Sequence, residues 1–592
     1  MRPTFLGFET QKRTLMLAQK HQDIVGNNIS NINTPGYTRQ RVDIYSMYVS
    51  GLGEPRWSSR SNMLSMQGQG VNAYGVSQIR DTYIDKRYRE NVSIEAETDK
   101  KMNILSEIED IMDNFESTGL QLQTQKFWNA LQDYSEEKPD STDVATICVN
   151  AAVNLCQMLN DYHTQIREVE TTYVNELQDS VEYFNKLLSE MTQLNQRIEK
   201  EKFHYAEEYG PNELYDQMNL YIDEISTYGE IEFHQNANGT FNVNMGGVNI
   251  VNGTELKNSR IIMKDYELYG TAELYFENGQ DVLLTRGTFK AYQDMINGNG
   301  VYAAGGQSNA YGIAYFKSAL NMFARTVADT LNTANGADQF PNERTMFEPA
   351  TEGALITAGN IRVSDIWRED PTMIGKTRRL NEMTGMYEWG YDEKKDAPIT
   401  QIKYRYAYKP LKDANGNIQY GTDGLPLPAA GGVTDLDRDE NGNVYLLKDQ
   451  NGKLVPETDD DGNIVYETVD GTASGIVNLQ NTNVKYLFSQ FDNRNIEFGN
   501  CHDFQGSFFT YISFISNRLG QTIEYETSRN ETAVITVDEL LDARDDVSAP
   551  EMDEEGINML NYTKWYNASS RMLTTLDDML DKLINGTGRV GL

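Results

Sequence analysis

The sequence has few cysteines and histidines, and these shortages exclude several kinds of site. Its 592 residues include three cysteines, Cys148, Cys156 and Cys501, and an odd, sparse count cannot form a disulfide framework. Cys148 and Cys156 lie too far apart for a CxxC redox pair or a zinc knuckle. None of the five histidines has another histidine three or four positions away. Nucleotide-binding and hydrolase motifs are also missing. We therefore expect no metal, no cofactor and no catalytic residue.

Positive charge and long apolar runs are also in short supply. Lys and Arg number 52 against 88 Asp and Glu, which gives a formal net charge of −36. Nucleic-acid binding requires a basic face that displaces counterions from phosphate, and anionic lipid attracts basic segments. No run approaches the ~18 apolar residues of a membrane span. The N-terminus also lacks the pattern of a secretory signal. The sequence thus predicts neither a nucleic-acid partner nor a membrane partner.

The N-terminal region has a strong helical pattern of apolar and small residues. Successive members are spaced three or four positions apart, which places them on one face of a helix. These N-terminal seam residues are Phe8, Gln11, Leu15, Ala18, Gln22, Val25, Ile29 and Ile32. Leu17 and Ile24 widen the face. Pro35 and Gly36 predict that the helix ends near Asn33.

The C-terminal region repeats the same spacing. The C-terminal seam residues are Met559, Tyr562, Tyr566, Ser569, Leu573, Leu576, Leu580 and Leu583. Met572 and Met579 add a flanking stripe. An internal core helix would show the same pattern, but neither terminal region contains a compact domain that could cover its seam. Each seam therefore requires a partner, which is either the other terminal region or another molecule.

Between these regions, long helical patterns alternate with strand-rich segments. Asn238-Gly239 between alternating apolar residues predicts a hairpin, and Asn-Gly or Asp-Gly pairs recur through residues 385–475. We predict an α+β multidomain fold in which discontinuous helical domains are built from both chain ends and β-rich domains are inserted. The predicted divisions are a terminal coiled coil (1–60 and 545–592), a helical bundle (61–230, 288–384 and 476–544), a β-rich insertion (231–287) and a hairpin-rich surface insertion (385–475).

One stretch of the second insertion partly matches a calcium-binding loop. Residues 437–443 read D-R-D-E-N-G-N, which fits the first half of such a loop. Its twelfth position, where a bidentate glutamate is needed, is Lys448. The segment that follows reads as a strand rather than a helix. A solvated hairpin turn and a calcium site both remain open on this pattern.

An amide-rich motif follows the N-terminal seam at residues 26–40, G-N-N-I-S-N-I-N-T-P-G-Y-T-R-Q. By itself it could be a helix C-cap, or its amides could bond packed helices or neighbouring backbone. It closely resembles the N-terminal signature of bacterial flagellar rod, hook and hook-associated proteins, approximately A-N-N-[IL]-A-N-x-x-T-x-G-Y. Gly26 and Ser30 replace alanines of that signature, and both remain small.

Two further stretches resemble the hook-associated members in particular. They are residues 70–89, which include I-R-D-T-Y-I-D-K-R-Y-R, and residues 545–560, which include the acidic run Asp553-Glu554-Glu555. Residues 505–509 fit loosely. The resemblance is strong over residues 1–90 and 535–592, moderate in the helical region and weak in the two insertions.

The resemblance implies a structural role without enzymatic activity. Members are exported unfolded from the cytoplasm by the type III apparatus, and their terminal segments pair in a ring at the extracellular hook–filament junction. The implied partners are the hook protein, hook-associated protein 3, further copies of the chain, and an export chaperone on the C-terminal helix. The expected assembly-interface residues are Leu15, Ala18, Gln22, Val25, Asn27, Asn28, Ile29, Ile32, Tyr37, Met559, Tyr562, Tyr566, Leu573, Leu576, Leu580 and Leu583.

Two alternatives remain beside this interpretation. The chain could be a hook or distal-rod subunit, although distal-rod subunits are generally shorter. The acidic, turn-rich insertion at residues 385–475 could also bind a surface ligand such as a glycan, or even hydrolyse one, in addition to the structural role.

Overall fold

A computed structural model describes most of the chain. The described residues are 6–46, 70–117, 119–137, 141–204, 210–257, 260–303, 310–338, 340–377, 380–381, 386–387, 391–392, 397–398, 400–413, 417–430, 432–433, 435–437, 445–450, 453–458, 466–468, 482–499 and 504–586.

Helices dominate the described residues. They are α1 (Leu6–Ser30), α2 (Thr82–Ser117), α3 (Leu120–Glu136), α4 (Thr142–His204), α5 (Asn212–Ser226), α6 (Tyr266–Tyr269), α7 (Thr288–Asn297), α8 (Ile313–Ala334), α9 (Pro341–Arg344), α10 (Asp365–Glu369), α11 (Met373–Lys376), α12 (Thr482–Ser489), α13 (Phe508–Ser548) and α14 (Met552–Asp581). Short 3₁₀ turns lie at Gly300–Tyr302 and Gln490–Asp492, and a π-turn at Lys582–Gly586 follows α14.

The strands are short and pair antiparallel. They are β1 (Gln40–Ser46), β2 (Val71–Gln78), β3 (Ile231–Gln235), β4 (Phe241–Met245), β5 (Val248–Asn252), β6 (Glu255–Leu256), β7 (Ile261–Met263), β8 (Leu274–Phe276), β9 (Phe347–Pro349), β10 (Ile361–Val363), β11 (Leu380–Asn381), β12 (Met386–Tyr387), β13 (Tyr391–Asp392), β14 (Ala397–Pro398), β15 (Thr400–Ile402), β16 (Tyr466–Thr468), β17 (Ile496–Glu497) and β18 (Gln505–Gly506). β3–β6 form a four-stranded sheet in sequence order, and the other sheets have two strands.

Contacts divide the chain into two compact units, each assembled from separate segments. The first contains residues 1–105, 171–297 and 522–592, and the second contains 106–170 and 298–521. The predicted α+β multidomain fold with discontinuous helical domains is confirmed. The finer four-part division made from the sequence stays a prediction.

In the first unit, the sheet β3–β6 is fixed to the long helix α4 through one buried amide. Asn195 Nδ2 donates to the carbonyls of Phe241 and Gly253, at 2.9 and 2.8 Å, and the Phe241 amide donates to Asn195 Oδ1. Val243, Ile250 and Val251 are buried. The predicted hairpin around Asn238-Gly239 is confirmed by the β3–β4 pairing.

The second unit has an aromatic core. Phe127 of α3 contacts the rings of Phe347, Trp367 and Phe491, with ring centroids 5.5–6.3 Å apart. Such edge-on and tilted contacts between buried rings add to their area burial. This core organises the second unit around α3 and the strand β9.

Hairpins make up the described part of the insertion at residues 385–475. β15 pairs with β16, and Tyr404, Leu446 and Leu454 form a small core against Phe340. Asp413 Oδ1 and Asp449 Oδ1 each accept from the backbone amide four residues on, at 2.9 Å. The predicted hairpins around these turns are confirmed. Most of the calcium-like loop, residues 438–444, lies outside the described residues.

Two helix boundaries differ from those predicted. The sequence predicts separate helices over residues 504–530 and 537–546, whereas α13 is continuous from Phe508 to Ser548. The β-branched run at residues 534–537 has low helix propensity, but burial of Ala533 and Val537 overrides it. The first helix ends at Ser30 rather than near Asn33, and Gly36 reverses the chain with a φ of +76°.

One helix segment, Thr142–Lys202, is long and apolar enough to cross a membrane by length and composition alone. Core helices of soluble proteins meet the same criterion, and Ala152, Leu155 and Leu159 of this segment are buried against the rest of the chain. The absence of a membrane partner therefore stays a prediction.

Candidate assembly interface

The two terminal helices pair antiparallel within one chain. The Gly7 Cα lies so close to Leu576 that an added Cβ would be 3.4 Å from Leu576 Cδ1. At the other end of the pair, Asn28 Nδ2 donates to Glu555 Oε2 at 3.1 Å. The two contacts lie 21 positions apart on α1 and also on α14. The helices therefore keep one constant register over ~30 Å.

An aromatic cluster lies in the middle of the pair. The His21 ring stacks on Tyr562, with centroids 4.3 Å apart and planes at 13°, and meets Trp565 edge-on at 6.3 Å. Next to it, Gln22 Nε2 donates to Thr563 Oγ1 at 3.0 Å. A polar pair beside stacked rings fixes the register of the two helices more strongly than aliphatic contacts would.

The predicted interface residues on α1 and the following turn lie at this contact to different degrees. Ala18, Val25 and Asn28 are buried, and the others on this side are half-buried. The half-buried set is Leu15, Gln22, Asn27, Ile29, Ile32 and Tyr37. An adjacent face of α1 is also covered, since Leu17 and Ile24 pack with Val42 of β1 and Val76 of β2. α1 therefore packs against α14 on one face and against the β1–β2 hairpin on an adjacent face, while the face around Met16 stays exposed.

α14 is covered on one side. The half-buried predicted residues are Met559, Tyr562, Leu573, Leu576 and Leu580, whereas Tyr566 and Leu583 are exposed. A second apolar row, the α14 stripe, consists of Ile557, Trp565, Met572 and Met579, which are 59, 49, 50 and 56% exposed. Their spacings of seven or eight positions place them on one side of the helix, rotated from the seam. α1 leaves this stripe largely uncovered, although Trp565 meets His21 edge-on.

The amide motif forms a joint between the chain ends. Asn28 Nδ2 donates to the Gln40 carbonyl at 3.0 Å as well as to Glu555, and Asn28 Oδ1 accepts from the Gln40 amide and the Tyr37 hydroxyl. Asn27 Nδ2 donates to the Tyr37 hydroxyl at 3.3 Å. Every hydrogen-bonding position of the buried Asn28 amide is thus used within the chain. Its role between subunits stays a proposal.

Sequence analysis missed the charged half of this joint. Arg39 Nε donates to Glu555 Oε1 at 2.7 Å, another Arg39 nitrogen contacts Glu554, and the Arg39 amide donates to the Ser548 carbonyl at 2.8 Å. Glu555 is 1% exposed. The sequence singled out the acidic run at 553–555 only through its resemblance to the hook-associated members and gave it no partner. A lone arginine inside the amide motif was the signal that one of these acids has a specific partner.

A polar contact connects the β1–β2 hairpin to α5. Gln78 Nε2 donates to the Asn212 carbonyl at 2.9 Å and to Asp216 Oδ1 at 2.7 Å. Burial raises the pKa of Asp216 to about 6, although hydrogen bonds from Thr38 and the charge of Arg80 partly oppose the shift. A carboxyl group in this contact therefore titrates close to neutral pH.

Buried ion pairs fix the helices below the joint. Asp223 of α5 forms ion pairs with Arg89 of α2 and Arg544 of α13, with N···O distances of 2.5 and 2.8 Å. Further along, Lys101 of α2 contacts Glu97, Asp294 and Glu526 at 2.7–4.0 Å. Removing one partner of a buried ion pair leaves an uncompensated charge, so such pairs oppose sliding of the helices.

The described residues show no arrangement suited to catalysis by a metal or thiol. They contain no group of three His, Cys, Asp or Glu side chains that could hold a metal ion. Cys148 and Cys156 are buried, and burial raises the pKa of Cys156 to about 12. A thiol with so high a pKa is a poor nucleophile. The expectation of no cofactor and no catalytic residue stays a prediction.

Comparison with known proteins identifies relatives along nearly the whole chain. Residues 105–343 match the model of the FlgK flagellar hook-associated protein helical domain, and residues 8–38 match that of flagella basal body rod proteins. Flagellar hook-associated protein 1 of Bacillus subtilis is 24% identical over 99% of both chains. The proteins of that name from Salmonella typhimurium and Escherichia coli are each 21% identical over 96% of this chain and 98% of theirs.

A solved structure agrees with the fold. The flagellar hook junction protein FlgK from Burkholderia pseudomallei aligns with a TM-score of 0.51 at 11% identity, covering 79% of this chain and all of that one. The sequence relatives and the two matching family models confirm the family predicted from the amide motif. The chain is a structural protein of the bacterial flagellum, related along nearly its whole length to flagellar hook-associated protein 1.

Proposed function

We propose that the chain forms the junction between hook and filament and assembles through its paired terminal helices. The observation that carries this proposal is the α14 stripe, which stays exposed after α1 has covered the seam. An apolar row of this length on a free chain is typical of a protein–protein interface. The relationship to hook-associated protein 1 supports the location outside the cell, after type III export from the cytoplasm.

In the proposed assembly, neighbouring copies form a ring and bury the stripe between them. The α1 face turned away from α14 offers a matching surface, because the exposed Met16 lies among Lys12 and Lys20, whereas α14 carries Asp577 and Asp578 beside Met579. Apolar contact would supply affinity, and opposite charges would fix orientation. The predicted seam residues would then act indirectly, by pairing α1 with α14 so that both outer faces are presented.

The other proposed partners are the hook protein, hook-associated protein 3 and an export chaperone on the C-terminal helix. A partner that binds the C-terminal seam of α14 would occupy the face that α1 covers, so it would compete with α1 for that face. The proposed role is structural rather than catalytic, and it requires no cofactor.

The stripe can be tested in a strain that lacks this gene. The variant Met572→Asp with Met579→Asp places charge on the stripe, and the control Asn567→Asp with Thr574→Asp places the same charge on exposed polar positions of the opposite side. We expect only the stripe variant to lose filament attachment and motility while it is exported at the level of the control. Normal filaments with the stripe variant would contradict the proposal.

A further inference from the structure

His21 occupies an unusual position in the terminal pair. It is 8% exposed, and its ring lies between Tyr562 and Trp565 of α14. Its Nε2 atom is buried without a hydrogen-bond partner among the described residues. Burial lowers the pKa of His21. The imidazole is therefore held neutral at the centre of the interface that the proposed function requires.

The charged groups near His21 offer it no counter-ion. On the elements packed against α1, Glu555 is bound by Asn28 and Arg39, and Arg41 of β1 pairs with Asp43 at 3.4 Å. Apart from the half-buried Arg13, Lys20 and Tyr562, the other described titratable groups of these elements are exposed, including Asp23 of α1, Lys564 of α14, Tyr45 of β1 and Tyr74 of β2. A proton on His21 would thus create an unpaired charge inside the pair.

We infer that His21 makes the pairing of α1 with α14 sensitive to acid, so that mild acidification releases the terminal helices from each other. The inference rests on the proposed function, because it concerns the regulation of the same assembly element. An imidazolium needs water or an acceptor on both nitrogens, and it can obtain them only when α14 separates from α1. Stacking on the Tyr562 ring gives it some cation–π stabilisation but does not replace hydration.

The direction of the effect follows from proton linkage. Above the ordinary histidine pKa of about 6.5, both the paired and the separated state are neutral, so pH has no effect. As pH falls below that value, the separated state binds a proton and the paired state resists it. Pairing therefore weakens by up to about tenfold per pH unit, because one proton is involved, until the paired state also protonates.

The test compares hydrogen exchange of the full-length chain at pH 7.5 and pH 5.5, after correction for the intrinsic exchange rate. We expect the opening of α1 and α14 to increase on acidification by up to about tenfold in the native sequence. His21→Phe keeps a stacked ring that cannot titrate, and it should abolish the increase. His21→Gln provides a second non-titrating variant if the phenylalanine disturbs the pair.

Two controls make the result specific. His234→Gln removes an exposed histidine on β3 and should leave the acid response of the terminal helices unchanged. Asp216→Asn removes the carboxyl group in the hairpin–α5 contact, so an acid response that survives in this variant does not come from that group. A response that persists in both His21 variants would overturn the inference, as would its absence in the native sequence.

This outcome is separate from that of the proposed function. If the His21 variants lose the acid response and still attach filaments at neutral pH, both the junction role and the acid switch are retained. Failure of the stripe variants to affect assembly would contradict the junction mechanism even if His21 governs the pairing in the free chain.

Discussion

Replacing Glu555 with glutamine would change the joint between the chain ends with almost no change in shape. The carboxylate accepts from Asn28 on one oxygen and from Arg39 on the other. A carboxamide has one accepting oxygen, so its NH₂ group would be turned toward one of these donors. The joint would lose a charge-assisted bond and leave a buried donor unpaired.

The expected loss can be bounded from the surroundings of the two partners. Breaking a buried ion pair from one side costs about 3–5 kcal/mol. Arg39 is 19% exposed and keeps its contact with Glu554, so water and a second carboxylate reduce the penalty. We expect about 3 kcal/mol, which is on the order of a hundredfold increase in opening of the terminal pair.

Glu554→Gln provides a matched control, because it is the same substitution at the adjacent position and its side chain also contacts Arg39. Glu554 is 56% exposed, and exposed ion pairs contribute about 0–1 kcal/mol. Hydrogen exchange of α1 and α14 at neutral pH, with exchange of α4 as an internal reference, measures both variants. Equal opening in the two variants would refute the argument that burial gives Glu555 its role.

Three further predictions concern other parts of the chain. Asp216→Asn should stabilise the protein by up to about 3 kcal/mol at pH 7, because the pKa is raised by about two units and each unit is worth about 1.4 kcal/mol. Since the pKa of Asp216 is raised from 3.8 to about 6, native stability should fall as pH rises through that window, and urea denaturation of the variant should lack this fall. Lys101→Met should destabilise the first unit by roughly 3 kcal/mol, measured by urea denaturation, because Glu97, Asp294 and Glu526 lose a buried cation and keep only the more exposed Arg529 and Lys290. Cys148 and Cys156 should react with a thiol reagent only after denaturant is added, because both are buried, and fast labelling of a native Cys501→Ser chain would contradict this.

The sequence predicted the terminal helices because their seams repeat over many turns. It also predicted the hairpin around Asn238-Gly239 and the hairpins of residues 385–475, where Asn-Gly or Asp-Gly pairs interrupt alternating apolar positions. These signals are local, and a few neighbouring residues are sufficient to read them. The continuous helix α13 was missed because its middle has low intrinsic propensity, and only burial against distant residues explains it.

The joint was partly predictable. The amide motif marked Asn27, Asn28 and Tyr37 as functional, but nothing in the spacing showed that their partner is an acid more than 500 positions away. Buried charges such as Arg89 and Lys101 gave no signal, because a charged residue in a helical pattern usually indicates a solvated face. Long-range pairing of single polar residues has no periodicity, and periodicity is the evidence that one sequence provides.

The antiparallel pairing of the chain ends has a consequence for the order of folding. Gln22 and Thr563 are 541 positions apart, so closing this contact from an unfolded chain is among the most costly steps in conformational entropy. Once Thr98 of α2 meets Asn530 of α13, the effective loop falls to about a fifth of that length, and each halving of the loop saves about 0.6 kcal/mol. The terminal pair should therefore form last, on a body that is already folded. Its contacts would be absent from the folding transition state, so mutations there should speed unfolding and leave the folding rate nearly unchanged.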